Sequence, residues 1–333
     1  MPPALSVLVP IRGAGEHLRL ALDSLAAQEE ADYEALLVDD GASEEVRSEL
    51  EKRARADPRL RVLPCAGDGL VAALNTGLAA AQAPLLARFD ADDWMHPERL
   101  SRQRAHFAEH PALALSATRF HLLDAVPGGG YERYRDWQNA LLDRESIHRA
   151  RFIESPLAHP TICIRTELLR SLGGYRELGW PEDYDLFLRV LEAGHAVEKL
   201  ACDLHGWRDH PRRTSRVHPR YAPEAFLRLK AHFLARGVLA LHARTWIWGA
   251  GPIGTRLYRA LRAEGASIAG FIDIDPKKIG STRGGLRIHA QEVLSTERGS
   301  LILAAVGGSG AAVLRAHLTA LGYVEGADFL AVA

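Results

Sequence analysis

The strongest chemical signal in the chain is the run Asp90-Ala91-Asp92-Asp93. Just past a strand, residues two apart point the same way, so the Asp90 and Asp92 carboxylates can converge. Converging carboxylates repel unless a cation joins them, and hard oxygen ligands suit Mg²⁺ or Mn²⁺. A cation held there would grip a diphosphate and neutralise a departing phosphate. The competing reading is a solvated acidic turn in which Asp93 caps the helix that Pro97 begins. Asp39-Asp40 poses the same choice. A carboxylate there can bond ribose hydroxyls or a base imide, or it can form an Asx-turn and cap the helix from Glu44. Glu182-Asp183 opens a helix after Trp180-Pro181, where the backbone dipole favours acid. Alternatively, one of the two is a general base for an attacking hydroxyl. The basic stretch His205–Arg220 carries His210, Arg212, Arg213 and Arg216, which either grip phosphate oxygens or line a solvated loop.

These residues need strands and helices to hold them. Leu5–Ile11 is a continuous apolar run that ends at Arg12-Gly13, as a buried parallel strand entering a loop would. Leu18, Leu22 and Leu25 follow at helical spacing. Glu34–Val38 is a second strand, ending at Asp39-Asp40-Gly41, and a charged helix follows from Glu44 to about Arg55. Further strands are expected at Leu60–Pro64 and Pro84–Phe89, with a turn and helix over Gly67–Ala81 between them. The segment Pro127–Arg151 has no clean period and reads as a loop or lid. Thr161–Ile164 reads as a short strand, and Glu182–Ala193 as a helix with Leu186, Phe187, Val190 and Leu191 on one face. Strands and helices in alternation predict an α/β fold with a mostly parallel sheet and covering helices. Ligands of such sheets bind beyond the carboxyl ends of the strands, where Arg12, Asp39 and Asp90 all fall.

The chain has 333 residues, which suggests two domains, and its formal net charge of -1 argues against nucleic acid as a partner. Its three cysteines, Cys65, Cys163 and Cys202, are too scattered for a disulfide framework or a thiolate zinc site, which suits a reducing compartment. No signal peptide or membrane-spanning segment is expected. The expected location is the cytoplasm, with a peripheral position at the inner face of the membrane compatible with a membrane-bound acceptor.

Jointly, Ser6-Val7-Leu8-Val9-Pro10, Val38-Asp39-Asp40-Gly41, Arg88-Phe89-Asp90-Ala91-Asp92-Asp93 and Glu182-Asp183-Tyr184-Asp185-Leu186 resemble the family 2 glycosyltransferases. His159-Pro160-Thr161 through Gly173-Gly174-Tyr175 is similar to the acceptor side of that family, and the likeness spans residues 4–220. The resemblance implies a GT-A fold, the nucleotide-diphospho-sugar transferase architecture. It also implies inverting transfer from a nucleoside-diphosphate sugar, commonly a UDP-sugar, to a saccharide or glycoconjugate acceptor in polysaccharide or glycoconjugate synthesis. Carried over by position, Asp183 is the base with Glu182 in support. Asp92 and Asp90 form the Asp-x-Asp motif for Mn²⁺ or Mg²⁺, Asp92 the more direct ligand. Asp39 contacts the base and Asp40 lies at the nucleoside, with Pro10, Arg88 and Asp90 also at the nucleotide. Two positions depart from the family pattern. Arg12-Gly13 stands where an aromatic residue and asparagine are usual, and Arg12 is assigned to nucleotide or phosphate. Ala42 replaces a serine after the Asp-Asp-Gly turn.

A second αβ pattern starts at Thr245–Trp248, placing a domain boundary after Gly237: a transferase domain over 1–238 and an accessory domain over 239–333. Gly249, Gly251 and Gly254 lie between a strand and a helix, and Asp273 falls about twenty residues on, where a ribose contact would sit. Trp248–Asp275 resembles Rossmann-like domains that bind NAD, and also similar domains attached to sugar-modifying transferases. Equally, the glycines only permit close strand–helix packing. Two other functions therefore stand beside transfer: an NAD-dependent oxidoreductase acting on a sugar nucleotide, and a non-catalytic sugar-nucleotide-binding protein.

Overall fold

The computed structural model describes residues 2–13, 15–124, 130–210, 213–297 and 299–333. Two compact units divide the chain. The first comprises Met1–Ile147, Pro156–Leu178 and Glu182–Val217; the second comprises His148–Ser155, Gly179–Pro181 and His218–Ala333.

The first unit opens with β1 (Leu5–Ile11), α1 (His17–Ala26), β2 (Tyr33–Asp39), α2 (Glu44–Ala56), β3 (Leu60–Pro64), α3 (Leu70–Ala80) and β4 (Leu85–Arg88). Short β5 (Trp94–Met95) leads into α4 (Arg99–Glu109) and the long β6 (Leu113–Leu123). After α5 (Gly130–Ala140) and α6 (Arg144–Ala150) come β7 (Cys163–Arg165), α7 (Thr166–Ser171), α8 (Glu182–Glu192) and β8 (Ala196–Arg208). Period two along β1 explains the layering. Leu5, Val7, Val9 and Ile11 face a core shared with Leu18, Leu22 and Leu25 of α1 and Leu100 and Phe107 of α4. Leu8 faces the opposite core, with Leu74 and Leu78 of α3 and Leu186, Phe187 and Val190 of α8. Helices therefore cover both faces, which is why the strand is apolar without alternation.

The eight strands run in the order β3-β2-β1-β4-β7-β6-β8-β5. β1, β2, β3 and β4 are parallel. β7 is antiparallel to both β4 and β6, and β8 runs parallel to β6. It follows that β1, β2, β4, β6 and β8 all point the same way, and their carboxyl ends share one edge of the sheet.

Two features differ from the sequence reading. From Gly130 onward the expected loop or lid is helical, because Tyr131, Tyr134 and Gln138 recur on one face and the two tyrosines pack on Phe120 and Trp207. Residues 127–129 of that segment lie outside those described. Pro97 precedes the first turn of α4 rather than occupying it, with Glu98 at the N-cap.

The first unit ends with α9 (Thr214–Val217), and the second continues with α10 (Pro223–Arg236), β9 (Thr245–Trp248), α11 (Pro252–Ala263), β10 (Gly270–Ile272), β11 (Thr282–Arg283), β12 (Leu286–His289), β13 (Leu301–Ala304), α12 (Ser309–Ala320) and β14 (Phe329–Ala331). Its six strands lie in the order β11-β12-β10-β9-β13-β14. All neighbours are parallel except the β11–β12 edge pair. Among the described residues no helix is long and apolar enough to cross a membrane.

Candidate active site

The site grows from the ends of β1, β2 and β4. Pro10 and Ile11 close β1 opposite Val38 and Asp39 of β2, and the Asp40 N–H donates to the Ile11 carbonyl at 2.8 Å. Asp39 Oδ1 accepts from the Ala42 N–H at 2.7 Å, and Oδ2 accepts from Arg47 Nε at 2.6 Å. Burial alone would raise this carboxyl, but the Ala42 N–H and Arg47 outweigh it and hold it below the ordinary range. The turn reading of Asp39 is thus realised, although Ser43 supplies the helix cap by accepting from the Val46 N–H. Buried Asp40 accepts from the Gly69 N–H at 2.8 Å. Exposed Arg12 lies 3.7 Å from Asp40 and 3.4 Å from Asp68.

The acidic run meets the basic stretch because β5 pairs antiparallel with β8, Trp94 opposite Gly206. That register sets Asp92 and Asp93 beside Trp207 and Arg208. Arg208 donates its N–H to Asp93 Oδ1 at 2.8 Å and its Nε to the Asp92 carbonyl at 2.9 Å. His210 Nε2 is 3.1 Å from Asp92 Oδ2. Arg213 reaches Asp90 at 3.5 Å and Asp93 at 3.6 Å, while its guanidinium sits 4.5 Å over the Trp207 ring. Arg216 turns elsewhere, to Asp209 and the Tyr131 ring, and Arg212 lies outside the described residues.

The three carboxyls respond differently to their surroundings. Burial would raise Asp90, yet Arg88 and Arg213 hold it at about 2. Burial and the charges of Asp93 and Asp90 raise Asp92 against the pull of Arg213 and His210. Burial pushes Asp93 up to about 7, with Arg213 opposing and Asp90 adding to the rise. Asp93 does not cap α4. Its Oδ2 instead meets His205 Nε2 at 2.9 Å, and Arg99 Nη1 lies 3.2 Å from His205 Nδ1. Arginine can only donate, so Nδ1 accepts and the Nε2 proton points at Asp93. Arg99, fully buried, also donates to the Arg88 carbonyl at 2.8 Å. Arg99 and His205 thus brace the acidic turn from behind. In the sequence His205 stands only as the first residue of the basic stretch and Arg99 has no assigned role, because the strand holding His205 alternates too weakly to be seen alone.

Arg88 connects this cluster to α8. Its Nη2 donates to Asp90 Oδ1 at 2.7 Å, whereas its buried Nε and Nη1 have no partner among the described residues. Its charge acts on both Asp183 and Glu182. A chain of contacts leads toward the start of α8. Asn75 clamps the Tyr175 backbone with two bonds of 2.9 Å. The Tyr175 hydroxyl lies 3.0 Å from His159 Nε2, and His159 Nδ1 is 3.9 Å from Glu182. Asp183 is partly buried, and its Oδ1 accepts from the Tyr184 N–H at 2.8 Å. Burial first, then the neighbouring Glu182, pushes its carboxyl up to about 8. Asp185, one turn face away, is structural: it is fully buried and bracketed by Arg176 and Arg189.

In the second unit, close packing accounts for two of the fingerprint glycines. A Cβ on Gly254 would stand 1.9 Å from the Gly249 carbonyl oxygen. Gly249 adopts φ 116°, where a Cβ would meet the Ala305 oxygen at 2.7 Å. Gly251 has open space around it. Asp273 accepts from the Ala250 N–H at 2.9 Å, the Asp275 N–H at 3.0 Å and Lys278 Nζ at 3.1 Å. Its oxygens thus serve both its own turn and the glycine loop after β9.

The edge that gathers acidic and basic side chains from the ends of β1, β2, β4 and β8 is where ligands of open α/β sheets bind. The family model for glycosyl transferase family 2 matches residues 6–173. The chain belongs to that family and is a glycosyltransferase. It is 32% identical over 187 residues to the amylovoran biosynthesis glycosyltransferase AmsE of Erwinia amylovora, covering 56% of this chain and 68% of AmsE. Among solved structures it is similar to S. aureus TarS residues 1–349, with a TM-score of 0.55 at 19% identity, covering 72% of this chain and 66% of that one. It is also similar to the mannosyltransferase PcManGT of Pyrobaculum calidifontis, solved in complex with GDP-Man and Mn²⁺. There the TM-score is 0.51 at 17% identity, covering 97% of this chain and 81% of that one. These structural likenesses place the GT-A fold.

Proposed function

We propose that the chain transfers a sugar, with inversion, from a nucleoside-diphosphate sugar to an acceptor hydroxyl, using a divalent cation at Asp90 and Asp92. The observation that carries this reading is the oxygen cluster itself. Ligand atoms of Asp90, Asp92 and Asp93 lie within 4.8 Å of one another, beside the two unpartnered Arg88 donors. An all-carboxylate donor set fits Mg²⁺ or Mn²⁺, and of the burial and carboxylate repulsion that raise Asp92, the repulsion is the part a cation relieves. Support for the donor class comes from the neighbours: PcManGT was solved with GDP-Man and Mn²⁺, and TarS with UDP-GlcNAc.

When bound, the cation supplies charge neutralisation to the diphosphate and its leaving oxygen. Asp92 and Asp90 would hold it, while Asp93, engaged by His205 and Arg208, shapes the turn. His210 and Arg213 would meet phosphate or sugar oxygens, with buried Arg88 behind them holding Asp90. Pro10, Arg12, Asp39 and Asp40 would bind the nucleoside, a UDP-sugar being the family's common donor. Asp183, held by the Tyr184 N–H, would take the proton from the acceptor hydroxyl as that oxygen attacks opposite the diphosphate, with Glu182 setting its basicity. The amylovoran role in AmsE's name supports a saccharide acceptor and a place in polysaccharide or glycoconjugate synthesis. The second unit is proposed as a Rossmann-like accessory domain over 239–333 on the strength of its strand order; no observation supports NAD there.

Thermal unfolding with UDP, GDP and NADH, each with and without Mn²⁺, tests the reading. A nucleoside diphosphate that stabilises only when Mn²⁺ is present is expected. Stabilisation by NADH alone would overturn it in favour of an oxidoreductase. Asp183→Asn should abolish transfer while donor binding stays nearly intact, and unchanged turnover would remove Asp183 from the scheme.

A further inference from the structure

Among the described residues there is a second group of metal-ligating side chains: His106, His110 and Glu198. It is separate from the acidic cluster. Glu198 sits near the start of β8 and Arg208 at its end, roughly 30 Å along an extended strand. His106 lies in the last turn of α4 and His110 at its C-cap, with their rings 5.0 Å apart. Only the tertiary structure adds the carboxylate, because β8 lies beside β6 with Glu198 in register with Ser116.

We propose that His106, His110 and Glu198 bind a transition-metal ion of the Zn²⁺ class at a site distinct from the acidic cluster. The geometry fits such an ion. Tetrahedral Zn²⁺ with bonds of about 2.05 Å has ligand-to-ligand edges of roughly 3.3 Å. Glu198 Oε2 lies 3.4 Å from His106 Nε2 and 3.5 Å from His110 Nδ1. Both contacts are longer than a normal hydrogen bond, which is about 2.7–3.2 Å. The remaining edge, between the two imidazoles, stays within 4.8 Å and closes by rotation of His110, whose side chain is 50% exposed. His106 is pre-oriented: it is buried, and its Nδ1 pairs with Ser116 Oγ at 2.9 Å, leaving Nε2 directed at Glu198. An outer partner on the non-ligating nitrogen is how metal-binding histidines are usually held. Two imidazoles and one carboxylate form a nitrogen–oxygen set suited to Zn²⁺, unlike the all-oxygen set at Asp90 and Asp92. Exposure on the His110 side leaves a fourth position to water. A bound ion would tie the end of α4 to β8 across the sheet face.

The test is competition for Zn²⁺ between chelator-treated full-length protein and a chromophoric chelator, for the parent and for His110→Ala, Glu198→Gln and Asp92→Ala. One Zn²⁺ site is expected in the parent and in Asp92→Ala, with affinity falling at least about tenfold in His110→Ala and Glu198→Gln. Zn²⁺ should raise the melting temperature of the parent but not of His110→Ala. His110 is half exposed at a helix end, so that variant is expected to fold, and circular dichroism verifies it. Equal Zn²⁺ affinity in parent and His110→Ala, or loss of the site in Asp92→Ala, would overturn the assignment. Neither outcome bears on the Mn²⁺-dependent nucleotide response, so the two readings fail separately.

Discussion

Asp183 is the group whose chemistry is most exposed to measurement. Its carboxyl is pushed up to about 8 by burial and by the neighbouring Glu182. A general base works only in its ionised form, so kcat/KM, which follows the free enzyme, should rise with pH through that value. A group titrating near 8 is ionised to about 1% at pH 6 and to half at pH 8, so kcat/KM should climb roughly fifty-fold between them and level off above pH 9. An aspartate at its ordinary value, near 3.9, would give no change over this range. The assay is initial-rate release of nucleoside diphosphate at sub-saturating donor, with Mn²⁺ saturating at every pH. That condition matters because Asp93, at about 7, sits in the proposed cation cluster and would otherwise add its own titration to metal binding. Glu182→Gln provides the second measurement. Removing the adjacent negative charge should move the inflection down by about one pH unit while burial keeps it above the ordinary range. A flat profile from pH 6 to 9 would refute the assignment of Asp183 as base. An unmoved inflection in a folded Glu182→Gln variant would refute the account of its raised carboxyl.

Three further outcomes follow from contacts at named positions. Asp92→Ala should weaken nucleoside-diphosphate binding by at least about tenfold in Mn²⁺ and change it little in chelator, because a cation ligand is lost; titration calorimetry showing the same Mn²⁺ dependence in parent and variant would count against the site. Asp185→Asn should lower stability by about 3–5 kcal/mol in urea unfolding, since Arg176 and Arg189 lose the buried carboxylate between them; a loss under about 1 kcal/mol would mean the bracket contributes little. Gly254→Ala should destabilise the second unit by about 2 kcal/mol or more, because its Cβ would stand 1.9 Å from the Gly249 oxygen; a variant with unchanged hydrogen-exchange protection in β9 and α11 would show that the turn can yield.

What could be read along the chain was local. Apolar runs without alternation announced β1, β2 and β4, since strands covered on both faces need no polar side, and the charged residues that follow them marked the sheet edge where ligands of such sheets bind. Family motifs falling in order along the same stretch pointed to glycosyltransferases, and the family match over residues 6–173 agrees. Local pattern was weaker for α5, whose buried face is built from two tyrosines and a glutamine rather than aliphatic residues.

Contacts made by residues open to two uses became visible only in three dimensions. Asp39 is tethered to Ala42 and Arg47, Asp93 is turned toward His205 instead of capping α4, and Gly254 is fixed by a carbonyl that a methyl group would strike. The same holds for every convergence over long chain distances: Arg208 and His210 onto Asp92 and Asp93, Arg99 onto His205, His159 toward Glu182, and Glu198 onto His106 and His110 at the end of α4. Side-chain period and strand-end chemistry are encoded by neighbours in sequence. Which strand lies beside which, and in what register, is set by the whole sheet closing on its two cores, and a shift of one residue in β8 would turn His205 and Arg208 away from the acids they hold.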